Sequence, residues 1–146
     1  MKILGLKELP SSLWIRFLRI HNHFSRDLTK ALDTFGITLT QFYMLATIDY
    51  TGDIPFSELS RRLWVTMGNL TGVIDRLEGK GLVVRERDNN DRRIIHVKMT
   101  RKGKEITEKA GTAFEHTMKN FLKNLNKQEQ QELSILLKKI LPKEVS

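Results

Sequence analysis

The sequence contains no cysteine. It therefore cannot form a disulfide, a thiolate metal site or a cysteine-based redox sensor, and a reducing cytoplasm suits it by default. No apolar run approaches the ~20 residues that a membrane span requires. The start of the chain, Met1 to Gly5, is too short and too soon interrupted to be a signal peptide. We expect a cytoplasmic protein with no membrane partner.

Signs of catalytic chemistry are equally scarce. No nucleophile stands in a recognisable pattern with a base, no GxGxxG motif is present, and the isolated glycines fall at predicted caps and turns. His21 and His23 are two positions apart, so on a helix they point to different faces and cannot easily share an ion. His96 and His116 lie far away in the sequence. The sequence therefore predicts no catalytic residue, no cofactor and no metal site, and we do not expect an enzyme.

Positive charge, by contrast, is in excess. The 146 residues carry 25 Lys and Arg against 17 Asp and Glu, a net charge of +8. Residues 50–104 alone hold 12 basic against 7 acidic side chains. This concentration favours a polyanionic partner, although a solvated basic face without a partner is the alternative. With 40% hydrophobic residues, the chain can also bury a core, and we expect a single domain, 1–146.

Hydrophobic periodicity predicts six helices, several with recognisable start and stop signals. The first runs from about Pro10 to Phe35, with Gly36 as its C-cap. The others are predicted from a capping box at Thr38–Gln41 to Gly52, from Phe56 to Leu63, from a cap at Thr66 to Lys80, from a cap at Thr100 to about Leu125, and from a cap at Asn126 to about Leu141, before Pro142.

A single hairpin interrupts the helices. Residues 82–87 alternate as a strand, with Leu82 and Val84 predicted inward and Arg85 and Arg87 outward. Residues 88–91 have the composition of a turn, and residues 95–99 alternate again as the return strand. The fold class is therefore mainly α with a small antiparallel β hairpin.

The two short helices before this hairpin have the spacing of a helix-turn-helix. Leu59 and Leu63 on the first, with Leu70, Ile74 and Leu77 on the second, can pack the pair at a steep angle around a turn at Trp64-Val65-Thr66. The outward side of the second helix then stays free, and the early residues of a recognition helix reach base edges in the major groove of DNA. That side comprises Met67, Gly68, Asn69, Thr71, Gly72, Asp75 and Arg76.

Individual residues on this face suit particular contacts. Asn69 can pair with adenine, Thr71 can contact a phosphate or a thymine methyl group, and Arg76 can reach phosphate or guanine. Gly68 and Gly72 are poor helix formers, each costing up to ~1 kcal/mol relative to alanine. They indicate close approach of DNA, tight helix packing or mere tolerance, and the sequence does not decide among these.

The hairpin tip has a separate logic. Arg93 on a thin loop can enter a narrow minor groove, and Asp91 can hold its guanidinium through a charge-assisted hydrogen bond. An ordinary turn salt bridge without a partner is the alternative. The full set of candidate DNA-binding residues is Thr66, Gly68, Asn69, Thr71, Gly72, Arg76, Arg85, Arg87, Asp91, Arg92 and Arg93.

Taken in order, these segments resemble the MarR family of transcription regulators. The run Val65-Thr66-x-Gly68-Asn69-Leu70-Thr71 through Asp75-Arg76-Leu77-Glu78 to Leu82-Val83-x-Arg85 is similar to the family's recognition helix and following strand. The run Asp88-x-x-Asp91-x-Arg93, continuing to Met99-Thr100-x-x-Gly103, resembles its wing signature, with Met99 where leucine is usual. The resemblance implies a winged helix-turn-helix lobe at 36–104, flanked by dimerisation helices at 1–35 and 105–146.

The resemblance also implies a homodimer, a pseudo-palindromic operator and a small aromatic effector. Apolar stripes on the last two helices support the dimer, because helices this apolar need a surface to cover them. Candidate effector-binding residues are Trp14, Phe17, His21, Phe42, Tyr43 and Ala46, although aromatic residues at helical spacing can equally belong to a core. We interpret the protein as a DNA-binding repressor. The alternatives are a winged-helix protein-interaction module and a non-specific DNA-binding protein, and the salt dependence of binding separates DNA from protein partners.

Overall fold

The computed structural model describes residues 9–63 and 66–141. In chain order its elements are α1 (Leu9–Asp33), α2 (Leu39–Thr51), β1 (Ile54–Pro55), α3 (Phe56–Leu63), α4 (Met67–Gly79), β2 (Val83–Arg87), β3 (Ile95–Met99), α5 (Arg101–Phe121) and α6 (Lys127–Ile140). The predicted fold class, mainly α with a small antiparallel wing, is confirmed. The predictions made for Met1 to Gly5, for Trp64 and Val65 in the turn, and for Pro142 lie outside the described residues. Within the described ranges, none of the helices combines the length and apolar character needed to cross a bilayer.

Most of the predicted helix starts are confirmed. Each is fixed by a hydrogen bond between the capping residue and the residue three positions later. Thr38 Oγ1 accepts a hydrogen bond from the Gln41 backbone N–H, and Gln41 Oε1 accepts one from the Thr38 N–H, which completes the capping box. Asn126 and Glu129 form the same box at the start of α6. Two predicted helix ends were too late. The first helix ends at Asp33, before a turn that holds Gly36 at φ +66°, and α5 ends at Phe121.

The core lies where α1, α2 and α5 meet the helix-turn-helix. Leu28 and Leu32 of α1 and Leu45 of α2 are fully buried. Part of the apolar stripe of α5 belongs to this core, because Ala110 is fully buried and the Phe114 ring contacts the rings of Phe24 and Phe42. That part of the stripe is therefore not available to a partner, whereas α6 has no buried residue among those described.

The sheet has three strands in the order β1-β3-β2, all antiparallel. The sequence predicted Ile54–Pro55 only as an extended step. In the structure Ile54 pairs with Val97, and Ile54–Pro55 forms an edge strand of the sheet. The predicted faces of residues 82–87 are only partly confirmed: Leu82 is buried and Arg87 is exposed as expected, but Val83 is fully buried and Val84 is 39% exposed. The Leu82 N–H still bonds the Leu77 carbonyl oxygen, so Leu82 belongs to the turn after α4. The strand begins at Val83, one residue later than predicted, so its alternation starts from the buried Val83 and places Val84 outward.

A close contact joins this wing to α5. The Thr100 backbone N–H donates to the Leu82 carbonyl oxygen (3.1 Å), and Thr100 Oγ1 donates to the Gly81 carbonyl oxygen (2.7 Å). Gly103 follows on the first turn of α5, where a Cβ atom would collide with the Leu82 carbonyl oxygen and lie 2.8 Å from Met99 Cγ. Only glycine fits this contact without a backbone shift.

Gly103→Ala should therefore destabilise the fold by about 3 kcal/mol, the scale of overpacking at a rigid site. Gly111→Ala is the matched control on the same helix, because no described atom lies within 4 Å of a Cβ built there. The control should be neutral or stabilise by up to ~1 kcal/mol. Urea unfolding followed by circular dichroism measures both, and equal effects of the two substitutions would contradict the close contact.

Candidate DNA-binding surface

The surface begins with the way α3 and α4 pack. Leu59 of α3 and Leu70, Ile74 and Leu77 of α4 are fully buried, as their spacing predicted. The opposite side of α4 is open, with Met67, Asn69, Thr71, Asp75 and Arg76 all exposed. Burial of one stripe thus leaves one polar, partly cationic face of the helix in solvent.

Hydrogen bonds already occupy two of the candidate hydroxyl groups. Thr66 Oγ1 accepts from the Asn69 N–H (3.3 Å), so Thr66 caps α4 as predicted. Thr71 Oγ1 donates to the Met67 carbonyl oxygen (2.9 Å). A phosphate oxygen can only accept hydrogen bonds, so Thr71 would have to give up this bond to contact one. In the conformation observed, contact between the Thr71 methyl group and an apolar base edge costs less free energy, because this hydrogen bond stays in place.

The two glycines of α4 are not explained by tight packing within the described chain. No described atom lies within 4 Å of a Cβ built on Gly68, and a Cβ on Gly72 meets only Arg76 Nη1 at 3.8 Å, an ordinary contact. Of the three interpretations that the sequence left open, close approach of a partner and simple tolerance remain.

The tip of the wing, residues 88–94, is held by its own side chains. Asp88 Oδ1 accepts from the N–H groups of Asn90 (2.8 Å) and Asp91 (2.9 Å). The Asp91 carboxylate then binds Arg93 through both oxygens, Oδ1 to Nε at 3.0 Å and Oδ2 to Nη2 at 2.9 Å. The Arg93 side chain is 90% exposed. The predicted Asp91–Arg93 pair is therefore present, and it holds a cation at the end of a rigid loop.

Electrostatics agree with this geometry. Hydrogen bonds from the Arg93 side chain and N–H hold the pKa of the Asp91 carboxyl below its usual range, and Asp91 in turn raises the pKa of Arg93. The N–H groups of Asp91 and Asn90 lower the pKa of Asp88, with a further contribution from His96, whose Nε2 lies 3.3 Å from Asp88 Oδ2. Both carboxylates of the tip thus stay ionised well into the acidic range.

Arg85 departs from its predicted orientation. Its side chain was expected to point outward toward DNA, but it is only 23% exposed and lies over the Phe56 ring at 5.6 Å. Nη1 donates to Glu78 Oε2 (2.6 Å) and Nη2 lies 2.7 Å from Asp75 Oδ1. The reason is the strand register, which pairs Arg85 with the buried Val97 and so turns it toward α4. Arg87 and Arg92 remain exposed.

Two further arginines lie on α3, and the sequence analysis did not single them out. Glu58 binds Arg61 (2.7 Å) and Arg62 (2.8 Å), and these hydrogen bonds lower the pKa of Glu58 to about 2. The signal in the sequence was the spacing of Glu58 to Arg61 and Arg62, three and four positions on one helix. The first helix of a helix-turn-helix crosses the DNA backbone, so cations in its last turn are candidates for phosphate contacts.

Helix α4 and the wing line one concave surface. A cavity of about 460 Å³ is bordered on the helix side by Met67, Thr71 and Asp75, and on the wing side by Arg93 and Ile94. The Met67, Thr71 and Asp75 side of α4 therefore shares this surface with Arg93, whereas Asn69 and Arg76 line a separate depression beside α2.

The residues proposed for an aromatic effector are not brought together. Tyr43 and Ala46 line a cavity of about 680 Å³, whose other lining residues include Thr47, Tyr50 and Arg62. Partial burial raises the pKa of the Tyr43 hydroxyl above its usual value. Phe42 is a core residue, 5% exposed and stacked on Phe114 at 5.7 Å. The remaining three, Trp14, Phe17 and His21, are exposed on α1 and do not line that cavity.

No metal site is evident. Across residues 9–63 and 66–141, no group of three or more His, Cys, Asp or Glu side chains is close enough together to hold an ion.

Comparison with known proteins places the chain among transcription regulators. Residues 37–95 match the model described as the MarR family. The multiple antibiotic resistance protein MarR of Salmonella typhimurium is 40% identical over 118 residues, 80% of this chain and 82% of that protein. The uncharacterized HTH-type transcriptional regulator YkoM of Bacillus subtilis is 30% identical over 132 residues, 90% of this chain and 86% of that protein. A crystal structure of a mutant MarR from E. coli, complexed with operator DNA, matches with a TM-score of 0.84 at 34% identity and covers 95% of this chain and 99% of that one.

The tip geometry predicts how its carboxylates titrate. Arg93→Ala removes both side-chain bonds to Asp91 but leaves the backbone N–H bond, so the pKa of Asp91 should rise part of the way toward its usual value. Asp88 is the internal control, because its bonds come from backbone N–H groups and should keep its pKa low. Carboxyl-carbon NMR across an acid titration measures both groups. An Asp91 pKa that does not move would mean that the pair does not form in solution.

Proposed function

This chain belongs to the MarR family of winged-helix transcription regulators, and on that premise we propose that it is a cytoplasmic, sequence-specific repressor that binds a pseudo-palindromic operator as a homodimer. The observation that carries the proposal is the concave surface that the Met67, Thr71 and Asp75 side of α4 shares with Arg93 at the tip of the wing. One rigid lobe can then engage two adjacent grooves of DNA.

In this proposal the two elements have different tasks. The face of α4 enters the major groove, where Asn69 and Arg76 meet base edges and Thr71 offers its methyl group. Gly68 and Gly72 let the helix backbone approach the DNA, and the Thr66-capped N-terminus of α4 adds a favourable dipole for phosphate. Arg93, oriented by Asp91, enters the minor groove.

The remaining exposed cations anchor the backbone of the DNA. Arg87 and Arg92 on the wing, and Arg61 and Arg62 on α3, are exposed and would contact phosphates. Such contacts position the lobe without reading sequence, and they make the affinity strongly salt-dependent.

The homodimer is supported by apolar surface that the described chain does not cover. The lobe spans 36–104, and the helices at 1–35 and 105–146 form the proposed dimer layer. Exposed large apolar side chains cluster on the first half of α1 and on α6. They are Leu13, Trp14, Phe17, Leu18 and Ile20 on α1, and Leu133, Ile135, Leu136, Leu137, Ile140 and Leu141 at the end of the chain. Surface of this kind marks an interface, and a two-fold partner would set two α4 helices about one turn of DNA apart.

Repression follows from occupancy of the operator, since a dimer bound at a promoter excludes polymerase without any other protein. The similar E. coli MarR structure contains operator DNA, which supports an operator as the target here. A small aromatic effector completes the proposal, with the cavity lined by Tyr43, Ala46, Tyr50 and Arg62 as its site. Its Arg62 guanidinium and aromatic rim suit an aromatic acid, and binding there would act on α3, the helix that Arg62 belongs to.

The proposal is tested by fluorescence anisotropy with the gene's own upstream DNA and a scrambled duplex, each titrated over a range of salt concentrations. Sequence-specific binding with a steep salt slope, by a protein that light scattering finds dimeric, is the expected result. Equal binding to both duplexes would indicate a non-specific DNA-binding protein. Binding to neither would favour a protein-interaction module.

Arg93→Ala should weaken operator binding more than tenfold while the dimer stays intact, because it removes the cation at the wing tip. Arg92→Ala is the matched control, one residue away and equally cationic, but without the carboxylate that orients Arg93. The control should lose only the affinity of one phosphate contact, with a salt slope reduced by about 0.9. Unchanged affinity of Arg93→Ala would refute the wing assignment.

Asn69→Ala should relax base preference more than it lowers non-specific affinity. A bidentate amide contact to adenine contributes roughly 1–3 kcal/mol of discrimination against other bases. The measurement is competition between the operator and single-base variants for wild-type and substituted protein. A uniform loss across all sequences would show that Asn69 contacts the backbone and reads no base.

A further inference from the structure

We propose that Arg85 is a positioning residue, which fixes the wing against the recognition helix, and that it makes no contact with DNA. This inference rests on the proposed function, since it concerns the geometry with which α4 and Arg93 meet one operator half-site. It reverses the role that the sequence alone suggested for Arg85.

The contacts of Arg85 span three elements. From β2, its guanidinium reaches Glu78 and Asp75 on α4, at 2.6 and 2.7 Å, and lies over the ring of Phe56, the first residue of α3. The Arg85 backbone N–H also donates to Glu78 Oε1 (3.0 Å), so the Glu78 carboxylate holds both the main chain and the side chain of the strand. This attachment at two points restricts both the rotation of β2 about α4 and the distance between β2 and α4.

The balance of charge argues against a direct role in DNA binding. To reach a phosphate, Arg85 would have to leave two carboxylates and expose them to the negative field of DNA. Its 23% exposure further limits its reach, whereas the Arg93 side chain is 90% exposed. Charge-assisted bonds of this kind are among the stronger polar contacts in proteins.

The same cluster explains an acidic residue on the proposed DNA-facing side of α4. Asp75 is exposed next to Arg76, where an unpaired carboxylate would repel phosphate. Paired with Arg85, its charge is compensated within the protein. In this arrangement Asp75 acts by holding the wing against α4.

This role gives Asp75→Asn a sign opposite to that expected from simple electrostatics. If Arg85 contacts DNA, the substitution removes a repulsive charge and releases a cation, and affinity should rise. If Arg85 positions the wing, affinity should fall by about tenfold, within the range of coupling between contacting residues. Glu78→Gln should act in the same direction, because it weakens the second attachment.

The decisive experiment measures Arg85→Gln in two backgrounds, by anisotropy on a duplex selected from a random library by the wild-type protein. A residue that acts through the wing tip matters only while the tip can bind. Arg85→Gln should therefore cost about tenfold in the wild type but less than about threefold when Arg93→Ala is already present. Arg87→Gln, two positions along the same strand, is the control and should cost the same factor in both backgrounds.

Equal, multiplicative losses for Arg85→Gln in both backgrounds, or tighter binding by Asp75→Asn, would overturn the inference. Circular dichroism below the thermal midpoint checks that each variant is folded, and Asp75→Asn and Glu78→Gln carry the test if Arg85→Gln is not. A general loss of stability would not depend on whether Arg93 is present. Failure of the wild-type protein to select any sequence would instead refute the proposed function itself.

Discussion

The Leu82 carbonyl group joins the turn after α4 to the start of α5, in a contact that leaves no room for a side chain. It accepts the Thr100 N–H at the start of α5, and Gly103 packs directly against it. On one side of this group lie α4 and the wing, and on the other is the helix that packs against α1. Because the contact leaves no room for a Cβ atom, it resists shear between the lobe and the helical layer. The turn that ends α4 is thus fixed to the first turn of α5, some 20 residues further along the sequence.

Around this junction, the excess positive charge is divided between structural and exposed positions. Arg85 is held by two carboxylates and largely covered, Arg93 is held by one and 90% exposed, and Arg61 and Arg62 share Glu58. The number of acidic partners and the burial of the guanidinium therefore distinguish an arginine that stabilises the fold from one that can bind a polyanion. Net charge alone carries no such distinction.

The sequence was sufficient to predict a contact wherever the two interacting residues lie within one turn of each other. The caps at Thr38 and Thr100 and the Asp91–Arg93 pair all fall in this class, and the structure contains each of them. It was insufficient for the first residues of β2, because Leu82 belongs to the preceding turn and the alternation of the strand starts from the buried Val83. It also failed for the effector residues. A helical stripe of aromatic residues has the same spacing in a core and in a cleft, and only tertiary packing assigned Phe42 to the core.

In the proposed dimer, helix α6 would make operator binding depend on the amount of the protein in the cell. Its 14 residues include none that is buried in the described chain, and isolated helices of that length are only marginally stable in water. In the proposed dimer, docking on a second copy supplies the missing hydrophobic contacts, so ordering of this helix and assembly become one equilibrium. Occupancy of a two-half-site operator would then rise more steeply than linearly with protein concentration. Expression of a gene under such control would change sharply when synthesis of the protein falls modestly.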